Sequence, residues 1–324
     1  MPEPPAAGLA PAVAPAPPTA DRTPPSGTAR PVRPRGDQAL AWVFLAPSLV
    51  VFGLFIAWPL GRSVYLSLHG SDLFGGAGRY VGVDNYRDML TSPDFGKVLV
   101  TTALFTLLSV APAVVGALVV VLLLEARIRG ARALRTTFAL PFAFSVATAS
   151  VIFAVIYNPA IGLANGLLGQ IGIDRVNWLT DPKIALPAVC ATTVWMNLGY
   201  NVLVLSAGVS AIPGEVMEAA RLDGATGFNL AWRITIPLLS PQLFFLVVIS
   251  TIHALQSFGQ IHILTKGGPD RATTTLVYSI YSEAFAYGSS DFGTASAQAI
   301  VLLVIVLACT FVQFRVLERR VHYR

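Results

Sequence analysis

Seven polar side chains set in apolar surroundings are the residues best placed to act on a solute. Asn197, Tyr200 and Asn201 recur at spacings of three and four, and His253, Gln256, Ser257 and Gln260 do the same further along. On a helix that spacing puts each set on one face. Amides, hydroxyls and an imidazole supply neutral donors and acceptors, which is what a hydroxyl-rich, sugar-like solute requires. Two readings stay open. Either the two faces line a translocation path, or they hold neighbouring helices together by hydrogen bonds inside an apolar solvent. No Asp or Glu shares the apolar run of His253, which argues against a proton relay there.

Other chemistries find no support in the residue pattern. His69, His262 and His322 form no ligand cluster, so no metal is expected. Cys190 and Cys309 lie in apolar runs without metal-ligand or paired spacing, and their expected role is packing. No G-x-x-x-x-G-K-[ST] loop occurs, so the chain has no nucleotide site of its own and no cofactor is expected in it. Neither paired acids nor a nucleophile beside a base supports a membrane-bound enzyme.

The elements that must position these residues follow from composition. With 54% hydrophobic and only 12% charged residues, and a mean hydropathy of +0.66, the 324-residue chain belongs in a bilayer rather than in water. Its net charge of +5 forms no continuous basic patch, so no nucleic-acid partner is expected. Six uncharged intervals are long enough to cross about 30 Å of hydrocarbon, which takes roughly 20 helical residues. They predict spans at about 39–61, 98–124, 137–157, 184–210, 238–262 and 293–315 of an all-α integral membrane protein. Asn158-Pro159 ends the third span, and the glycine-rich stretch after it reads as an external loop. Ala272 to Ser282 is too short to cross and reads as an external amphipathic helix. Residues 1–36 hold eleven of the 23 prolines and are expected to be a disordered cytoplasmic tail. It lacks the apolar core of a signal peptide at its start, so the first apolar run is expected to remain as an anchor.

Lys and Arg settle the expected orientation. With both termini in the cytoplasm, fourteen arginines fall inside and eight basic residues outside, as the positive-inside bias demands. The short cytoplasmic stretch Arg127 to Arg135 and the carboxyl tail carry basic residues close to the span ends.

Between the fourth and fifth spans, residues 212–236 read as two short helices at the cytoplasmic membrane surface. Pro213 suits a first helical turn, and Glu215 and Glu218 complement the helix dipole. Asp223-Gly224 supplies a stop with a glycine able to take positive φ, and Thr226 is placed to cap a second helix. Ala219 and Ala220 permit close approach of another surface, while Val216, Met217 and Leu222 offer apolar contact. On these properties alone, a docking surface and an ordinary interfacial loop are both open.

The order Glu218-Ala219-Ala220, then Gly224, then Ile234 and Ile236-Pro237 resembles the EAA signature of ABC importer permeases, with Ile236 where that family usually has Leu. Further stretches are similar to the carbohydrate-uptake branch of that family: YVGVDNYRDML from Tyr80, NPAIGLAN from Asn158 and KGGPDRATTTLVYSIYSEAF from Lys266. The carboxyl-terminal run is similar to the first permease subunit of sn-glycerol-3-phosphate importers. The resemblance spans most of residues 40–324. It implies a six-helix type I importer permease of the maltose-permease kind, paired with a second permease in the bacterial cytoplasmic membrane. It also implies a cytoplasmic ABC ATPase dimer that uses ATP-Mg, and an external solute-binding protein that delivers the cargo. Glu218, Ala219, Ala220, Asp223 and Gly224 would then couple to the ATPase. An ion-coupled secondary transporter is the alternative. It calls for a charged intramembrane site or spans broken at the membrane midplane, and the sequence suggests neither.

Overall fold

The computed structural model describes residues 35–72, 76–125, 131–285 and 290–317. The tail expected at 1–36 lies outside the described residues except for Arg35 and Gly36, which open the first helix rather than extend the tail.

The chain divides at Phe55 into two units. The first holds α1 (Arg35–Phe52), in which every side chain from Leu40 to Phe52 is exposed. An apolar helix exposed all round suits lipid, not water.

The second unit, from Ile56, begins with α2 (Trp58–Ser67) and a small antiparallel ribbon of β1 (His69–Ser71) and β2 (Ala77–Tyr80). The ribbon is the one departure, among the described residues, from an all-helical chain. After α3 (Asp84–Thr91) comes α4 (Pro93–Glu125), which opens with Pro93 in its first turn and Asp94 at the positive end of its dipole. Its 33 residues reach about 50 Å at 1.5 Å per residue, enough to cross the bilayer and project beyond it.

Next are α5 (Ala131–Ala139), a 3-10 turn at Leu140–Ala143, and α6 (Val146–Ile156). Beyond them lie α7 (Leu163–Gln170) and α8 (Ala185–Ser210). The chain continues through α9 (Gly214–Leu222), α10 (Gly227–Leu230), a π-turn at Ala231–Thr235 and α11 (Ile236–Leu238). It closes with α12 (Ser240–Leu255), α13 (Gly259–Leu264), α14 (Leu276–Phe285) and α15 (Phe292–Leu317).

α4 and α8 form the central pair. Val114, Ala117 and Val121 of α4 interlock with Val202, Leu205 and Val209 of α8, and Leu239 and Leu246 close this cluster. At the other end Phe105 packs on Leu186, Val189 and Cys190, with Ala254, Ile261 and Leu264 against them. The far side of α4 leaves Leu107, Val115 and Leu123 exposed. Such an apolar outer face is tolerable only against lipid or another membrane helix.

Four helical stretches are long and apolar enough to span: Leu40–Ser67, Pro93–Glu125, Ala185–Ser210 and Phe292–Val316. Counting each of two bent pairs as one span brings the number to six. Thr136–Ala143 meets Val146–Ile156 at 108°, and Gly227–Leu238 meets Ser240–Leu255 at 67°. Six spans match the expected number, but several details differ. The first helix runs past Gly61, through Arg62 and on to Ser67, because a long cationic side chain near a span end can reach back to the interface. The stretch expected as a loop after Asn158-Pro159 instead coils into α7. Asn165 anchors it: its Nδ2 donates to the carbonyls of Pro159 and Val176, and its Oδ1 accepts from Val176 N and Trp178 Nε1. The helix expected at Ala272 to Ser282 starts at Leu276. It buries Leu276, Ser279 and Ala284 against its neighbours, so it is a packed element rather than one floating at the surface.

The breaks are the main correction. The third span is interrupted at Leu140–Ser145, where a proline-bearing 3-10 turn leads to Ser145, whose hydroxyl accepts from Thr148 N at 3.1 Å to cap α6. The fifth is interrupted twice, at Leu239 and again at Gln256–Phe258. Hydropathy registers only the apolar run and is blind to such bends.

Candidate functional site

The elbow between α8 and α12 is built on an exposed helix, α9. Gly224 takes φ +84° and turns the chain after α9, and Ala225 N closes the stop on Ala220 O at 2.9 Å. Thr226 stands at the start of α10 in an extended conformation but makes no side-chain cap bond. Glu218, Ala219, Asp223 and Gly224 are exposed, whereas Ala220 is 8% exposed and faces the body of the protein. Of the two alanines, then, only Ala219 is on the open surface. Leu222 is 89% exposed at the tip. Phe228 and Trp232, one turn apart, stack at 5.8 Å and are also exposed. Sequence spacing pointed to Leu222. It did not single out the aromatic pair, although the i, i+4 spacing was there to be read.

A second site forms where the breaks meet α8. A cavity of about 420 Å³ is lined by Asn197, His253, Gln256, Ser257 and Gln260, together with Val146, Thr193, Met196, Phe258 and Gly259. Its size falls within the roughly 300–1,000 Å³ of small-molecule sites. Gln260 Nε2 donates to Thr193 Oγ1 at 3.3 Å and to Ser257 Oγ at 3.0 Å. Asn197 Nδ2 donates to Thr193 O at 3.0 Å. Thr193, which sequence spacing did not single out, thus ties the two polar sets together.

The four residues of the fifth span do converge, but not on one helical face. His253 lies in the last turn of α12, Gln256 and Ser257 lie in the break, and Gln260 lies in α13. It is the break that turns Gln256 and Ser257 toward the cavity.

Tyr200 and Asn201 are not brought to that cavity. Tyr200 packs beside Phe142 with ring centroids 5.7 Å apart. Asn201 is fully buried, and neither its Oδ1 nor its Nδ2 has a hydrogen-bond partner. Gly199, between Asn197 and Tyr200, is what lets the third span seat on α8. A Cβ there would lie 2.9 Å from Phe142 N and 3.0 Å from Ala139 O. Among the described residues no group of three His, Cys, Asp or Glu side chains could hold a metal ion.

Comparison with known proteins decides the family of a chain with an exposed elbow and spans that break around a polar cavity. Residues 100–323 match the sequence profile of the binding-protein-dependent transport system inner membrane component. The chain belongs to that family. This inner membrane component is 36% identical over 290 residues to the sn-glycerol-3-phosphate transport system permease protein UgpA of Agrobacterium fabrum (strain C58 / ATCC 33970), covering 89% of this chain and 97% of that one. To the protein of the same name from Brucella abortus biovar 1 (strain 9-941) it is 37% identical over the same shares. Its fold matches a bacterial alginate ABC transporter, solved in complex with an alginate pentasaccharide-bound periplasmic protein. There the TM-score is 0.77 at 24% identity, covering 88% of this chain and 96% of that one. The fold is therefore that of a type I ABC importer permease, and the chain is a multi-pass inner membrane protein that serves transport. Family membership displaces the ion-coupled alternative, although the broken spans are present.

Proposed function

We propose that this permease imports a carbohydrate or a glycerol-3-phosphate-like solute, as one of two permease subunits driven by a separate ATPase dimer and supplied by an external binding protein. ATP-Mg is used by that ATPase, and hydrolysis is no part of this chain's work. The solute class is favoured by the polar, uncharged wall of the break cavity and by the sn-glycerol-3-phosphate permeases among the relatives.

The observation that carries the coupling role is Leu222, 89% exposed at the tip of an elbow. Water and charged headgroups give such a side chain nothing, while a protein groove gives it roughly 1.5–3 kcal/mol on full burial. In this reading Glu218, Asp223 and Arg221 ring that anchor, and Ala219 and the Gly224 turn keep the approach clear. Ala220 maintains the shape of the helix from beneath. Both termini and the elbow face the cytoplasm, which the distribution of arginine supports.

Site-directed crosslinking tests this. In a Cys190→Ala, Cys309→Ala background, Leu222→Cys in the co-expressed importer is expected to crosslink to the ATPase subunit. It should react with a membrane-impermeant maleimide only when the inner face is opened. Ile161→Cys, 82% exposed at the other end of the bundle, should react from outside. Reaction of Leu222→Cys from outside, or its failure to reach any ATPase, would overturn the assignment. Leu222→Asp is expected to weaken ATPase association by about 10- to 100-fold, measured by co-purification yield across a detergent-solubilised titration.

A further inference from the structure

The second leg of the elbow, Gly227–Leu238, meets the helix Ser240–Leu255 at 67°. Phe228, Asn229, Trp232 and Arg233 are its exposed side chains. Phe228 and Trp232 are 77% and 62% exposed, and their rings stack with planes at 12°. Toward the span the leg is held down: Thr235 is buried, and Leu239 sits in the core cluster of α4 and α8. The stretch that carries the rings stands clear of the bundle.

These side chains suit neither hydrocarbon nor water. Arg233 and Asn229 are too costly in hydrocarbon, and two stacked rings leave a large apolar area unrewarded in water. The headgroup layer of a bilayer accommodates both kinds. An indole has an apolar body and an N–H edge, which is why tryptophan gathers at membrane interfaces, and a guanidinium pairs with lipid phosphate. Leu222, purely aliphatic, has no such polar edge.

The bend sets the depth. Ser240 opens α12, and Trp232 precedes it by eight residues, at most about 12 Å of helix. With α12 near the membrane normal, a leg inclined at 67° departs from the level of Ser240 by only about 5 Å at Trp232 and about 7 Å at Phe228. The polar layer on each side of the hydrocarbon is about 5–7 Å thick. Both rings therefore stay within it. A straight continuation of α12 would carry Trp232 the full distance of about 12 Å, out of that layer.

We propose that Phe228 and Trp232 form a membrane-interface anchor for the elbow, their stacked rings set in the phospholipid headgroup layer on the elbow's side of the bilayer. The anchor requires only that the chain crosses the membrane, so docking of an ATPase at Leu222 can fail without affecting it.

The test is tryptophan fluorescence of the complete importer in nanodiscs, with Trp232→Phe subtracted from wild type to isolate the emission of Trp232. Phospholipid brominated near the headgroup end of its acyl chains should remove most of that emission, and phospholipid brominated near the chain ends should remove less. Aqueous iodide should have little effect. Should Trp232→Phe fail to assemble, Phe228→Trp takes its place, and the emission it adds to wild type should respond in the same way. Quenching by iodide without quenching by bromolipid would put the rings in water and overturn the anchor. Quenching by neither would mean that a protein surface, such as an ATPase, covers them, and stronger quenching by the deep bromines would put them in hydrocarbon. Either result also overturns it. Crosslinking of Leu222→Cys reports separately on the ATPase reading.

Discussion

Replacing Gly199 by alanine probes the contact on which the break cavity is built. The added Cβ would meet Phe142 N at 2.9 Å, Ala139 O at 3.0 Å and Phe142 Cβ at 3.1 Å. Ordinary contacts lie near 3.5–4.0 Å, so the turn at the middle of the third span must retreat by about 0.5–1 Å. Two of the three opposing atoms belong to the backbone and cannot rotate away. Overpacking of this kind costs about 1–3 kcal/mol, against a gain of about 1 kcal/mol for alanine over glycine in a helix interior. The expected net effect is destabilisation of up to about 2 kcal/mol, together with a displaced Val146 at the cavity wall. Gly116→Ala is the matched control. It lies inside α4 and faces α8, but its Cβ would meet only Leu198 Cδ1, at an ordinary 3.5 Å. The helix-propensity gain is therefore common to both variants and the steric cost belongs to one. Apparent melting temperatures of the purified importer in detergent should fall in the order Gly116→Ala, wild type, Gly199→Ala. A Gly199→Ala protein as stable as Gly116→Ala would refute the reasoning that this glycine seats the break.

Asn201→Leu removes a fully buried amide that has no partner. It should stabilise the protein by about 1 kcal/mol or more without altering uptake, and a loss of stability in the same melting assay would mean that the amide is satisfied in the assembled importer. Glu283 is held above its ordinary 4.5 by burial first and by the Asp291 charge second, with Arg271 opposing. Because a raised carboxyl pKa disfavours the folded state once the group ionises, Glu283→Gln should be more stable than wild type at neutral pH. The gap should close as the pH falls through the folded pKa and below about 4.5. Asp291 behaves oppositely. Burial pushes it up, but the amide and hydroxyl of Thr294, the Ser71 hydroxyl and the Gly293 amide together hold it below its usual range. Its contribution is therefore present above the unfolded pKa of about 3.9 and lost as the pH falls through the lower folded value, so Asp291→Asn should cost stability at neutral pH and little in strong acid.

Much of the protein is dictated by the order of its residues alone. Uncharged intervals long enough for a bilayer fix six crossings, because an unpaired backbone or a charge is too costly in hydrocarbon for any other arrangement. The elbow is also local chemistry. Asp223-Gly224 stops α9 by a conformation that glycine adopts freely, and Leu222 is left at its tip whatever the rest of the bundle does. Tertiary structure decided which polar residues meet. Asn197 and Asn201 are one turn apart on α8, yet the first lines the cavity and the second is sealed between helices, because which side of α8 is covered depends on where the broken third and fifth spans lean against it. Gln256 and Ser257 reach the cavity from a break that hydropathy cannot register, since apolar residues are as compatible with a bend as with a straight helix when neighbouring elements satisfy the freed backbone groups. The ring of Phe258 lies 4.8 Å from that of Tyr281, a residue more than twenty positions further along the chain. Only the return of α14 against α13 could set those rings face to edge, a matter of long-range packing to which no local periodicity responds.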